Sequence, residues 1–181
     1  MPVSEKTFRK LALEDPNQWE LHYGNLERKP GLTADHNEIA VYLGGQLIQQ
    51  LDRKVYRVRT SMGQVRRTSE NYYIPDVYVV PTELMLAQRG TRRLEVYEAP
   101  LPLVVEVWSP STGLYDVDSK LPEYQRRGDL EIWRIHPYER TLTAWRRQPD
   151  GSYGEETRDA RGTIQPIALP NVRIDLDVLF D

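Results

Sequence analysis

The sequence predicts an α/β fold, a mixed β-sheet with helices packed on it, and three observations lead there. Apolar residues recur at helical spacing after Thr33, two nearly continuous apolar runs at 72–80 and 103–108 read as inner strands, and a helical segment at 116–127 separates the second run from another strand at 130–136. With 181 residues the chain is long enough for one core, and a single domain over 1–181 is expected.

The elements follow in order. Phe8, Leu11 and Ala12 place a short helix at 4–13, which Asp15-Pro16 ends because the residue before proline is pushed out of the helical region. Residues 18–23 and 25–29 alternate around Gly24, predicting a hairpin closed by Pro30-Gly31. Beyond the N-cap candidate Thr33, Ile39, Leu43, Leu47 and Leu51, with Ala40 and Ile48 beside them, form an apolar helical stripe. Residues 53–60 and 62–67 are short β-like runs, and 82–99 reads as a charged, irregular connection. Ser109 to Gly113 is a loop by composition. The following helix closes at Gly128, while Pro122, tolerated only in a first turn, leaves its start open. Strands at 130–136 and 141–147 flank a turn, and the tail from Ser152 holds short β-like pieces.

Composition narrows the chemistry. The chain has 39% hydrophobic and 28% charged residues, which places it among soluble globular proteins, and a cytoplasmic, non-membrane location is expected. It has no cysteine, so thiolate catalysis, disulfides and cysteine-held metals are excluded. A net charge of -3 argues against coating nucleic acid by bulk charge; yet nineteen of the twenty-four cations are Arg, which suits local phosphate contacts and salt-bridged surfaces alike.

Two acids stand where acids are costly, Asp76 in YYIPDVYVV and Glu106 in LPLVVEVW. A buried carboxylate must be protonated, paired or metal-bound. Two close carboxylates suit a hard divalent cation, Mg²⁺ or Mn²⁺. Pairing with arginines is the alternative, and a glycosidase-type acid/base pair is another. Lys120 falls near the apolar stripe of Val117, Leu121 and Tyr124, from where it would reach over the sheet; a surface lysine is the plainer reading.

Asp76 behind Pro75, Glu106 in VVEVWSPST, Tyr115-Asp116, Lys120, Tyr124, then Gly128 and EIWRIHP together resemble the bacterial Uma-two family, a PD-(D/E)XK group. The resemblance runs from about Glu20 to Phe180. It implies a restriction-endonuclease-like mixed β-sheet flanked by α-helices and a Mg²⁺-dependent hydrolase of DNA. Asp76 and Glu106 would hold the metal, a main-chain carbonyl near Val107 would add a ligand, and Lys120 would position or activate water. His36 and Glu20 are further candidates for the site, as are Asp116 and Tyr124, while Ser109, Ser111 and Thr112 are candidates for phosphate contacts. The superfamily lysine is expected at position 108, where this chain has Trp. Lys120 looks like its migrated replacement, and a non-catalytic module that binds nucleic acid or protein is the rival. A homodimer is the expected working unit, since two sites cut both strands of a duplex, with apolar contact from the segments near Trp133 and Trp145.

Overall fold

The computed structural model describes residues 2–181, apart from the side chain of Val117. Two sheets carry the architecture. The larger runs β11-β10-β9-β8-β6-β3, built from Tyr153–Asp159, Thr141–Arg147, Glu131–His136, Leu103–Val107, Val77–Pro81 and Tyr56–Thr60. The smaller runs β2-β1-β5-β4-β7, built from Asn25–Arg28, Trp19–His22, Asn71–Tyr73, Gln64–Thr68 and Val96–Tyr97. Both are mixed, since β8 lies parallel to β9 and β4 parallel to β7 among antiparallel neighbours. A short pair, β12 (Thr163–Ile164) with β13 (Ile174–Asp175), and helix α6 (Leu176–Leu179) complete the tail.

Local chemistry sets the helices. Ser4 caps α1 (Glu5–Glu14) by accepting from Thr7 N–H, and Thr33 caps α2 (Ala34–Gln50) by accepting from His36 N–H. The α2 stripe buries Ile39, Ala40, Leu43 and Leu47 on Val77, Val79, Val105 and Trp133 of the larger sheet, about 1.5–3 kcal/mol for each large apolar side chain. Ile48, expected in that stripe, is exposed. A second apolar cluster joins the two sheets, with Val65, Tyr73 and Tyr97 from the smaller meeting Tyr78, Val104, Ile132 and Trp145 from the larger. Phe8 of α1 covers the smaller sheet at Leu21 and Tyr72.

Three expectations are corrected. The run at 72–80 is two strands in different sheets: Pro75 has no N–H and a fixed φ, so the ladder breaks over Ile74-Pro75-Asp76 and the chain crosses from β5 to β6 there. The connection at 82–99 is ordered, with α3 (Thr82–Leu86) and strand β7 inside it. The second helix begins earlier and is broken, as α4 (Gly113–Tyr115), a π-turn (Asp116–Lys120) and α5 (Leu121–Arg127). Pro122 accounts for the wide turn, because its ring clashes with the carbonyl four residues back and it lacks a donor; Leu121 N–H bonds to Asp116 C=O instead. The Val117 part of the expected stripe lies outside the described residues. Trp133 and Trp145 are buried, so the indoles themselves are taken up by the core.

One buried pair ties the sheets together. Arg127, at the end of α5, donates to the carbonyls of Arg66, Tyr97 and Ala99 and to both oxygens of Asp129, which also accepts from Leu101 N–H at 2.8 Å. Arg127→Leu would leave Asp129 buried without its partner. We expect urea denaturation to show a loss of about 3–5 kcal/mol, partly recovered when Asp129→Asn is added.

Candidate active site

The crossing at Pro75 delivers Asp76 to the place where the sheets meet. The register pairs Val77 with Val105, so Asp76 and Glu106 are the next opposed positions, and strand alternation turns both toward the face that carries Tyr78 and Val104. Both acids are buried.

Each carboxylate has its own set of partners. Oδ1 of Asp76 accepts from Lys29 Nζ at 2.8 Å, and Oδ2 accepts from His36 Nε2 at 2.9 Å and from Val107 N–H at 2.8 Å. Burial acts to raise the Asp76 carboxyl, but the Lys29 ammonium, and after it His36, outweigh burial and hold it well below the usual range. Glu106 accepts from the Tyr124 hydroxyl and from Lys120 Nζ at 3.4 Å. There burial wins, and Glu106 is pushed well above the usual carboxylate range despite Lys120.

Lys120 is buried, which removes the surface-lysine alternative. Its ammonium sits among three carboxylates, 3.0 Å from Glu20 Oε1, 3.3 Å from Asp116 Oδ1 and 3.4 Å from Glu106 Oε1. These acids outweigh the cost of burial and raise its pKa well above the ordinary lysine value, so it stays charged. Glu20 is anchored in turn, since its Oε1 accepts from Ile74 N–H at 2.8 Å. Asp116 is different. Neither of its oxygens has a hydrogen bond among the described residues, and burial raises its pKa.

Of the residues singled out in the sequence, Asp76, Glu106, Lys120, Glu20, Asp116, Tyr124 and His36 thus come together, and Val107 joins through its N–H. Pairing of Asp76 and Glu106 with arginines is not what the structure contains; their partners are lysines, a histidine and a tyrosine. Ser109 and Thr112 hydrogen-bond each other at 2.9 Å, and Ser111 lies 3.1 Å from Ser109. Trp108 stacks on His136 with ring centroids 4.3 Å apart. Sequence reasoning missed Lys29, whose ammonium also bonds the Ile74 carbonyl at 2.8 Å. The one signal available was that lysine is rare here, with Lys29 at the end of a predicted hairpin.

Donor type and charge fit a divalent cation. Four buried carboxylates face two ammonium groups and one histidine, and the orphaned Asp116 oxygens and the unpartnered His36 Nδ1 are spare donors. The present spacing is not that of a ready-made centre, since among the described residues no three acidic or histidine side chains stand close enough to share an ion.

Residues 6–177 match the Uma2 family, described as putative restriction endonuclease. The chain belongs to the Uma2 family. A crystal structure titled as a putative nuclease belonging to DUF820 from Anabaena variabilis is similar over 99% of this chain and 98% of that one, at 18% identity and a TM-score of 0.80. That likeness gives this Uma2 chain a restriction-endonuclease-like fold. No curated protein matches the sequence.

Lys29 supplies a test of the electrostatics. Asp76, held below its unfolded value of about 3.9, contributes stability that is present above that pH and lost as pH falls through the folded pKa. Lys29→Met removes the main stabilising charge. The variant should be less stable at pH 7 by about 3–5 kcal/mol, with the deficit shrinking below about pH 4. Denaturant titrations across that range measure it.

Proposed function

We propose that this Uma2 chain is a Mg²⁺- or Mn²⁺-dependent endonuclease that hydrolyses DNA phosphodiester bonds. The observation that carries the reading is the pairing of Asp76 with Glu106 across β6 and β8, with the Lys120 ammonium brought onto Glu106 from the next helix.

Asp76 and Glu106 would hold the ion, with Asp116 supplying a third carboxylate from the π-turn. Bound there, a divalent ion supplies polarisation of a phosphoryl oxygen and a lower pKa for attached water. Lys120 would orient the attacking water and offset negative charge growing on the phosphate. Glu20, fixed by Ile74 N–H, keeps that ammonium in place, and Tyr124 fixes the Glu106 carboxyl. Lys29 and His36 hold Asp76 ionised and correctly turned.

A second reading is a non-catalytic module for nucleic acid or protein. It draws on the pairing of all four acids with Lys29, His36 or Lys120 and on Trp108 at the superfamily's lysine position. Plasmid cleavage with Mg²⁺, Mn²⁺ and EDTA separates the two. Under the nuclease reading, Lys120→Ala should cut turnover by about 10²- to 10⁴-fold with little change in DNA affinity. Glu106→Gln should abolish cleavage together with Mn²⁺ binding. A parent that cleaves nothing and binds no Mn²⁺ makes it the module.

Metal binding should also depend on pH. Glu106 and Asp116 have raised pKa values, so below them each carries a proton that an ion must displace. Mn²⁺ affinity should therefore rise with pH, by about tenfold per pH unit for each proton displaced. Calorimetry in two buffers of different ionisation enthalpy counts the protons released.

A further inference from the structure

Asp76 has one oxygen left for an ion. Its Oδ2 accepts from His36 Nε2 and from Val107 N–H, which occupies both lone pairs, whereas Oδ1 accepts from the Lys29 ammonium at 2.8 Å. The same ammonium bonds the Ile74 carbonyl oxygen, also at 2.8 Å. A carboxylate oxygen and a main-chain carbonyl are hard donors of the kind that Mg²⁺ and Mn²⁺ take. Lys29 thus sits where two such donors converge, with its side chain 5% exposed. With the ammonium against Asp76, no three acidic or histidine side chains among the described residues stand close enough to share an ion.

Lys29 also has somewhere to go. An opening between the end of the β1–β2 hairpin and the loop before α4 is lined by Lys29, Lys120 and Glu20, while Asp76, Glu106 and Asp116 are not among its walls. From that side Lys29 is met before Asp76. It follows the last residue of β2, in the irregular stretch at 29–33, and carries its charge on a flexible four-carbon stem. Swinging the ammonium outward therefore requires no movement of either sheet.

We propose that Lys29 is a tethered competitor for the site's divalent ion: its ammonium takes the seat on Asp76 Oδ1 that the ion needs, and it swings into the opening when an ion binds. The inference rests on the metal-dependent reading above and adds to it how occupancy of the site is governed. Two cations at bonding distance from one buried oxygen repel strongly, so ion and ammonium exclude one another. Seated, Lys29 balances Asp76 and holds the fold; displaced, its charge is replaced by that of the ion. The site then fills only at ion concentrations high enough to outcompete a group that is always at hand.

Calorimetric titration of Mn²⁺ into the full chain, Lys29→Gln and Arg28→Gln tests this. Lys29→Gln keeps an N–H donor for Asp76 but no charge, and should bind Mn²⁺ at least about tenfold more tightly than the parent. Arg28 is an exposed cation on the same opening, and Arg28→Gln should change the affinity by less than about threefold. A second measurement needs no variant. Reductive methylation of the parent, read by mass spectrometry, should modify Lys29 several-fold faster at saturating Mn²⁺ than without it, while the exposed Lys6, Lys10 and Lys54 are unchanged. The proposal is overturned if Lys29→Gln binds Mn²⁺ no more tightly than the parent, if Arg28→Gln gains as much, or if Lys29 stays protected at saturating Mn²⁺. Should neither parent nor variant bind Mn²⁺, the metal reading fails and the competitor with it. Cleavage is scored separately: a chain in which Mn²⁺ frees Lys29 but no DNA is cut sinks the nuclease reading and leaves the role of Lys29 standing.

Discussion

Four carboxylates and two ammonium groups share the buried space where the two sheets meet, and balancing that charge is the constraint on which the rest of the structure depends. An isolated ion in such a place costs several kcal/mol even after relaxation, so each group has to be delivered with its partner. The partners come from distant parts of the chain. Lys29 arrives from the end of a hairpin, His36 from the first turn of α2, Glu20 from β1, and Lys120 from the π-turn. The hairpin, the long helix and the broken helix are therefore tied to the strands by charge as well as by apolar packing. The balance is incomplete, because Asp116 has no hydrogen bond among the described residues beyond its ion pair with Lys120, and Glu106 is pushed toward its protonated form. A site left with surplus acid is suited to taking up positive charge.

Two interruptions of regular backbone place the central groups, and each has a proline at its cause. Pro75 ends β5 and forces the crossing, which leaves Asp76 at the junction with its side chain free to accept from Val107 N–H on the neighbouring strand. Pro122 widens the helix into a π-turn, and the wide turn carries Asp116 and Lys120 together, so that they meet as a pair at 3.3 Å while Lys120 still reaches Glu20 and Glu106. Regular structure at either point would spoil the arrangement. An uninterrupted strand over 72–80 would keep Asp76 within one sheet, and the gap between sheets is what the site occupies.

Much of this was legible from residue type and neighbourhood. Asp76 and Glu106 stood out because carboxylates in apolar strands need an explanation, and the α2 stripe because its period is long enough to be unambiguous. What was hidden depended on contacts across the fold. The run at 72–80 is apolar throughout, and periodicity does not reveal that its halves belong to different sheets; Pro75 was the available sign and was read only as a neighbour of Asp76. The π-turn was missed because 100° steps assume an unbroken helix. Lys29 could not be ranked above other lysines, since its role lies entirely in its contact with Asp76, 47 residues away. The segments near Trp133 and Trp145 were expected to offer apolar contact to a second copy, but the two indoles themselves belong to two different buried clusters.

Trp108 stands where the resemblance led to the expectation of a lysine, and aromatic neighbours hold it there. Its ring stacks on His136 and meets Tyr138 edge-on, with centroids 4.3 and 5.8 Å away, so it is held against the end of β9 and has little freedom to move. A Cβ at position 113 would come within 1.9 Å of the Trp108 Nε1, nearer than any real contact, so a ring at 108 requires glycine at 113. Gly113 is also the first residue of α4, the start of the run that continues into the π-turn and ends at Lys120. The indole and the lysine are thereby coupled through backbone. The ring lies against the start of α4, so the returning chain passes close to it at Gly113.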